Sequence, residues 1–369
     1  MSATVSSGAE RRTRRVPAPA DSLLPIPLPQ TENLPRRFGD FLVTSELAQD
    51  ALGRVFRAID LAHGGRFVRL RIFDVRHVDG PMLIDAIEES RAVLPLLAGP
   101  YTARGEHADS VDRLPYLAWT ETHGWTLDVL LKGFREIGSR LPVDHALLIT
   151  DRIATALESA HAKSLQGKPI AHGVVWPGFV WVGSDGDVFV AGFGLAPGIF
   201  PTLEDPAVWR EIAPYVAPEE RLRPRVSPPS DVYSLGVILL ELLTERAPGL
   251  EFPSITLRKG DPLPEDLLYL IRASLSKASL RPPSMSAFRR ELGRIIVTER
   301  FQPSSFRLSR SLRERLGPES VQHGEAAFLQ AGRKEREAAQ AAVPPPSTVA
   351  DGDEVDTVLR NFWSRAETT

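Results

Sequence analysis

The sequence predicts an α+β chain in which a small antiparallel β part precedes a larger, mostly helical part. Two observations predict it. From Phe38 to Glu121 the apolar residues alternate in short segments broken by turn residues, which is the pattern of strands. Beyond that point come long stretches with helical apolar spacing, of which Leu141 to Ala162 and Ser230 to Thr244 are the clearest.

Composition narrows the functional classes. Hydrophobic residues at 43% and charged residues at 25% are globular values. A formal net charge of -3 gives no electrostatic reason to expect nucleic acid or an anionic membrane as partner. The chain has no cysteine, which excludes disulfides, thiolate catalysis and Cys-ligated metal together, and its 8 His show no ligand spacing. The most apolar run, Val232 to Leu243, is too short to cross a bilayer, and no apolar signal region follows the N-terminal arginines. The expectation is a soluble cytoplasmic protein without membrane insertion.

Residues 1–37 combine Arg11, Arg12, Arg14 and Arg15 with six prolines, and such a composition cannot bury a core. A disordered, partly polyproline-II arm is expected. Within the β part, Phe41 to Asp60 reads as a hairpin. In Phe67 to Phe73, period 2 puts Val68, Leu70 and Ile72 on one face and Arg69 and Arg71 on the other. Pro81 to Leu97 reads as a helix with Leu83, Ala86, Ile87, Val93, Leu94 and Leu97 near one stripe.

The stretch Ala171 to Ala196, AHGVVWPGFVWVGSDGDVFVAGFGLA, resembles the catalytic centre of protein kinases of the bacterial serine/threonine type. His172, Pro177, Val180, Phe193 and Gly194 match the frame of the family motifs. The working positions depart from them. The resemblance puts Val174 at the base, Trp176 at the Lys, Phe179 at the Asn and Gly192 at the magnesium-binding Asp. None of these side chains holds a magnesium ion or receives a proton, and phosphoryl transfer depends on both.

The resemblance extends along the chain. The hairpin is similar to the glycine-rich loop, with Gly53 as the third glycine and Ala48 and Asp50 replacing the other two, so Asp50 adds negative charge where phosphate lies in the family. Arg71 stands at the phosphate-binding Lys and Arg69 at the small residue above adenine. Glu89 falls at the helix Glu, which implies an Arg71–Glu89 pair clamping helix to sheet. Leu114 to Leu127 resembles the edge strand and hinge, with Trp119 at the gatekeeper. Arg69, Trp119 and Trp176 are expected to close the nucleotide cleft.

Tyr215 to Glu219 is similar to the Ala-Pro-Glu segment, with Ile212 in place of the threonine beside the base. Ser230 to Thr244 is the most specific match, and its Asp231 is the expected anchor of the catalytic-loop backbone. Leu280-Arg281-Pro282 supplies Arg281, the expected partner of Glu219 in a buried pair. The structural kinase-fold residues are thus Arg71, Glu89, His172, Phe193, Glu219, Asp231 and Arg281.

The resemblance implies a bilobal protein-kinase-like domain over 38–297. A C-terminal helical extension follows over 298–342, in which Ser304 to Leu316 carries Phe306, Leu308, Leu312 and Leu316 at helical spacing and Glu319 to Ala342 reads as another helix. A tail over 343–369 contains Asp353 to Arg365, where Val355, Val358, Leu359, Phe362 and Trp363 share one face of a short amphipathic helix suited to a protein partner. The expected function is that of a pseudokinase: no catalytic residues, no metal, no cofactor, ATP binding not expected, and signalling through a protein partner. Two other classes stay open. One is a nucleotide sensor without phosphotransfer. The other is an atypical serine/threonine kinase with relocated chemistry, for which Asp185, Asp187 or the arginines would have to substitute, although the GSDGD setting of the two acids reads as a turn.

Overall fold

Among the described residues, six strands lie before residue 121 and all but one of the α-helices lie after it. The computed structural model describes residues 34–76, 80–136, 140–222, 225–244 and 263–322. Residues 1–33 of the expected arm, the second extension helix beyond Gln322 and the amphipathic motif at 353–365 lie outside the described residues. The end of the arm is a correction: Arg36 and Arg37 are not disordered but pair with Val43 and Leu42 in the first strand hairpin.

The small lobe is a six-stranded antiparallel sheet built from β1 (Arg36–Phe38), β2 (Phe41–Asp50), β3 (Gly53–Asp60), β4 (Arg66–Phe73), β5 (His107–Val111) and β6 (Leu114–Thr120), in the order β1-β2-β3-β4-β6-β5. One face is filled by Phe41, Val43, Phe56, Val68, Leu70 and Ile72, a core separate from the rest of the molecule. The helix α1 (Gly80–Val93) packs across β5 and β6 through Leu83, Ala86, Ile87, Ser90 and Val93, all buried. Their spacing is the period of one helical face.

The chain crosses to the large lobe through β7 (Gly124–Thr126) and α2 (Leu127–Glu136). There α3 (Val143–His161) and α7 (Pro228–Thr244) pack on each other, flanked by α8 (Glu265–Ser274) and α9 (Met285–Thr298). From Ser230 to Leu242 every residue of α7 is buried, so the helix is apolar nearly all round because it has no solvent face. Burying each Val, Leu or Ile there contributes about 1.5–3 kcal/mol. This α+β, two-lobed arrangement is the one expected from the sequence.

Two hairpins carry the central loop: β8 (Ser164–Leu165) with β9 (Lys168–Pro169), and β10 (Val180–Gly183) with β11 (Val188–Val190), the latter joined by β7 on its far edge. The segment after β11 turns through α4 (Ala196–Ile199), α5 (Pro206–Ile212) and α6 (Pro218–Leu222). Helix α4 packs directly against α1, which brings the start of this segment onto the small lobe.

The helix expected from Ser304 to Leu316 is present as α10 (Ser305–Gln322), and it runs on through Gly317 and Pro318 into the start of the second helix expected from Glu319. Leu308 and Leu312 are buried, as the spacing predicted. Phe306 is a correction: it is 75% exposed, because the narrow contact with the large lobe accepts only the 308/312 ridge.

Candidate functional site

The site lies where β2, β4, α2 and the turn Pro177–Phe179 meet. Alternation along β4 turns Arg71 inward, and its side chain is fully excluded from solvent. It does not pair with Glu89. Its Nη1 lies 2.8 Å from Asp50 Oδ1 and 2.7 Å from Oδ2, and its Nη2 donates to the Gly178 carbonyl at 2.8 Å. The ring of Phe179 lies 5.3 Å below the guanidinium.

Glu89 is exposed on the outer face of α1. The buried stripe 83, 86, 87, 90 leaves position 89 outside, so the helix presents Ser90 to the interior. Ser90 Oγ donates to the Phe193 carbonyl at 2.8 Å, which ties α1 to the Gly192-Phe193-Gly194 turn by a neutral bond. The expected Arg71–Glu89 clamp is therefore replaced by two contacts, Arg71–Asp50 and Ser90–Phe193.

Asp50 is buried with the guanidinium and also accepts the Leu52 N–H at 2.9 Å. Burial pushes its carboxyl above the usual range while Arg71 pulls the other way. Two further acids stand near. Glu211 on α5 accepts the Ala51 N–H at 3.1 Å, and Asp128 in the first turn of α2 has a buried Oδ1 without a hydrogen-bond partner. Loss of solvent, then the charges of Asp50 and Asp128, push Glu211 up to about 7.

Large side chains stand at positions that line or adjoin the family's nucleotide cleft, Arg69 and Trp119 on the adenine side and Trp176 at the catalytic-loop Lys position. Arg69, Trp119 and Trp176 are all buried. Arg69 donates to the Thr122 carbonyl at 2.9 Å, pairs with Glu121 at 3.3 Å and lies 4.8 Å from the centroid of Trp181. Burial lowers Arg69 to about 10, with Glu121 opposing. Trp119 meets Trp181 edge-on at 6.4 Å. Trp176 packs edge-on against Phe179 at 6.0 Å.

Val174, at the base position, is fully buried, and so is Ile212. At the magnesium position Gly192 has φ +88°, and a Cβ there would come within 2.9 Å of the Phe179 ring. Its N–H donates to Glu106 at 2.6 Å. Burial raises that carboxyl to about 8, and the Gly192 bond opposes the shift. Asp185 accepts the Asp187 N–H at 3.0 Å within the β10–β11 turn, so these two acids act as turn residues.

Of the other expected structural charges, Asp231 and Arg281 meet the partners expected of them. Asp231 on α7 accepts the N–H groups of His172 at 2.9 Å and Gly173 at 2.7 Å and meets His161 Nε2 at 2.8 Å. His172 donates its Nε2 proton to the Ala191 carbonyl at 2.8 Å and lies 4.7 Å from the Phe193 ring. Arg281 pairs with Glu219, Nη2 to Oε2 at 2.9 Å. Only the arginine is deeply buried, stacked 5.0 Å from the Tyr233 ring; the Glu219 side chain is 41% exposed. The expected buried pair is thus a half-open one, and the more deeply buried acid is its neighbour Glu220, which accepts from Arg225 N–H and Ser227 Oγ.

Sequence reasoning noted the charge of Asp50 without pairing it, and it missed Ser90, Glu106, Asp128, Trp181 and Glu211. For Ser90 a signal existed in the period of the α1 stripe. For Glu211 there was none, since its contact joins residues 160 positions apart. Among the described residues no group of three or more His, Asp or Glu is arranged to hold a metal ion.

The chain is similar to serine/threonine-protein kinase PknA of Mycobacterium tuberculosis, with 28% identity over 260 residues, which is 67% of this chain and 58% of that protein. It is 30% identical over 211 residues to PknL of Mycobacterium bovis, covering 56% of this chain and 50% of that one. The match thus spans about half the length of these curated relatives. Among solved structures, the PknI kinase domain of Mycobacterium tuberculosis superposes with a TM-score of 0.53 at 20% identity, covering 70% of this chain and 97% of that domain. Its C20A_R136N double mutant gives 0.57. No protein-family model matches the chain.

Proposed function

Because the chain is a homologue of bacterial serine/threonine protein kinases and carries their bilobal fold, we propose that it is a catalytically inactive member of the protein kinase superfamily. In this reading it is a signalling scaffold or regulator that binds a protein partner and transfers no phosphoryl group. The observation that carries it is the Arg71–Asp50 pair, buried and closed at 2.7 Å. At the position of the phosphate-binding Lys, the cation is already neutralised by a carboxylate tethered to the same sheet.

An arriving triphosphate would have to displace Asp50 and then sit among Asp50, Asp128 and Glu211. Two like unit charges about 4 Å apart repel by about 4 kcal/mol at an effective dielectric of about 20. The side chains at the base, Asn and magnesium positions, Val174, Phe179 and Gly192, supply no compensating ligand or proton acceptor. The kinase activity named for the relatives belongs to proteins of which this chain matches only part.

The binding role is proposed for the apolar face formed by Val355, Val358, Leu359, Phe362 and Trp363, on sequence spacing alone. A cytoplasmic location belongs to the same proposal. Among the described residues no helix is long and apolar enough to cross a membrane. The test of inactivity is incubation of the purified chain with labelled ATP and magnesium or manganese, alone and with generic protein substrates. No incorporation above a heat-denatured control is expected. Incorporation by the unmodified chain that Arg71→Ala abolishes overturns the reading.

A further inference from the structure

Glu211 belongs to α5 in the large lobe, yet its carboxyl holds the tip of the small lobe. Its Oε2 accepts the N–H of Ala51, in the turn between β2 and β3, at 3.1 Å. Asp50 secures the same turn from below by accepting the Leu52 N–H and the Arg71 guanidinium. Residues 50–52 are therefore tied to α5 at one point and to β4 at another.

The charges that act on Glu211 come from three other elements: Asp50 from β2, Asp128 from α2 and Arg71 from β4. Behind Asp128 stand Tyr215, Glu241 and Arg135, which bond to one another, so the Arg135 charge is balanced by Glu241. Three acids thus share one guanidinium, and that guanidinium is committed to Asp50 and to the Gly178 carbonyl. A protonated Glu211 accepts the Ala51 N–H without adding charge. An ionised one is a charge cut off from solvent and a third carboxylate in the cluster, which together outweigh the preference of the Ala51 N–H and Arg71 for the charged form.

We propose that the Glu211–Ala51 contact is a proton-controlled latch between the lobes: the neutral carboxyl holds the β2–β3 turn down over Arg71, and ionisation releases it through the cost of an unsolvated charge and repulsion from Asp50 and Asp128. This concerns how the cleft is kept shut, and it rests on the reading that no nucleotide fills that cleft. The sign follows from the closed form having the higher pKa. Closure is strongest below the ordinary glutamate value of 4.5, weakens as pH rises, and has lost its full increment above about 7.

The test is hydrogen exchange at the amides of Ala51 and Leu52 in the full chain without nucleotide, at pH 5 and pH 7.5, after division by the intrinsic chemical exchange rates. Wild-type protection is expected to fall at least tenfold, with a ceiling of roughly 60-fold between these two pH values for a carboxyl at 4.5 when open and about 7 when closed. In Glu211→Gln, which keeps the acceptor and cannot ionise, the fall should shrink to less than threefold. Asp128→Asn removes one facing charge and should move the midpoint to lower pH. An unchanged profile in Glu211→Gln, no fall in the wild type, or an unmoved midpoint in Asp128→Asn overturns the latch. Binding of ATP or transfer of phosphate overturns the inactive-scaffold reading instead and leaves this pH profile as a separate result.

Discussion

A guanidinium shut away from solvent needs a carboxylate against it, and for Arg71 that carboxylate is Asp50. Asp50→Ala should cost about 3–5 kcal/mol of unfolding free energy, since it strands a buried charge. Glu89→Ala, on the exposed side of α1, should stay within about 0.5 kcal/mol. Urea denaturation of the two variants checks the order, and equal midpoints would contradict it. Gly192→Asp, which restores the family's acidic residue, puts a Cβ against the Phe179 ring at φ +88°. It should destabilise by about 1–3 kcal/mol without creating activity. Glu106 carries a pH signature: with its folded pKa raised to about 8, its contribution is full below about 4.5 and is lost as pH rises through 8. Thermal melts of the wild type and Glu106→Gln between pH 5 and 8.5 should differ in slope, the variant being flatter. Equal slopes would remove Glu106 from the account.

Helix α10 shows how closely one element is fitted to another. It begins against the β10–β11 turn, where Ser309 Oγ donates to the Ser184 carbonyl at 2.7 Å. Gly186 has φ +86°, and a Cβ on it would meet the Ser305 carbonyl oxygen at 2.1 Å. Gly186→Ala should therefore lift the start of α10, while Leu312→Ala, in the buried ridge, should cost about 2–5 kcal/mol. Limited proteolysis after Phe301 reads the first effect and urea denaturation the second. Strands and helices were legible in the sequence because period 2 and period 3.6 are local, as the full burial of Ser230 to Leu242 illustrates. Partners were less legible. Periodicity tells which face of α1 is apolar, yet whether Arg71 meets Glu89 or Asp50 depends on where β2 lies, and that information is spread over the whole sheet. Phe306 failed for a related reason, since apolar spacing gives a face and not its width.

At the scale of the molecule, the charges that hold the frame and the positions that carry family chemistry have separate fates. Asp231 holds the His172 and Gly173 amides, and Arg281 keeps Glu219, although that pair is more open than its role suggested. Between the lobes, Arg71 is occupied by Asp50, and Arg69, Trp119 and Trp176 are buried at positions that line or adjoin the family's nucleotide site. These features were visible in the sequence as substitutions at motif positions. The acid at the phosphate end of the cleft was legible as well, but its closure onto Arg71 needed the geometry of the β2–β3 turn. The central claim is that this cleft is filled from within. A thermal-shift titration with ATP up to millimolar concentration, with and without magnesium or manganese, tests it most directly, because any ligand selective for the folded state raises the melting temperature by mass action. The account predicts no shift for the wild type. A saturable rise, at about 100 times the dissociation constant equivalent to roughly 2.7 kcal/mol of added stability, would contradict it.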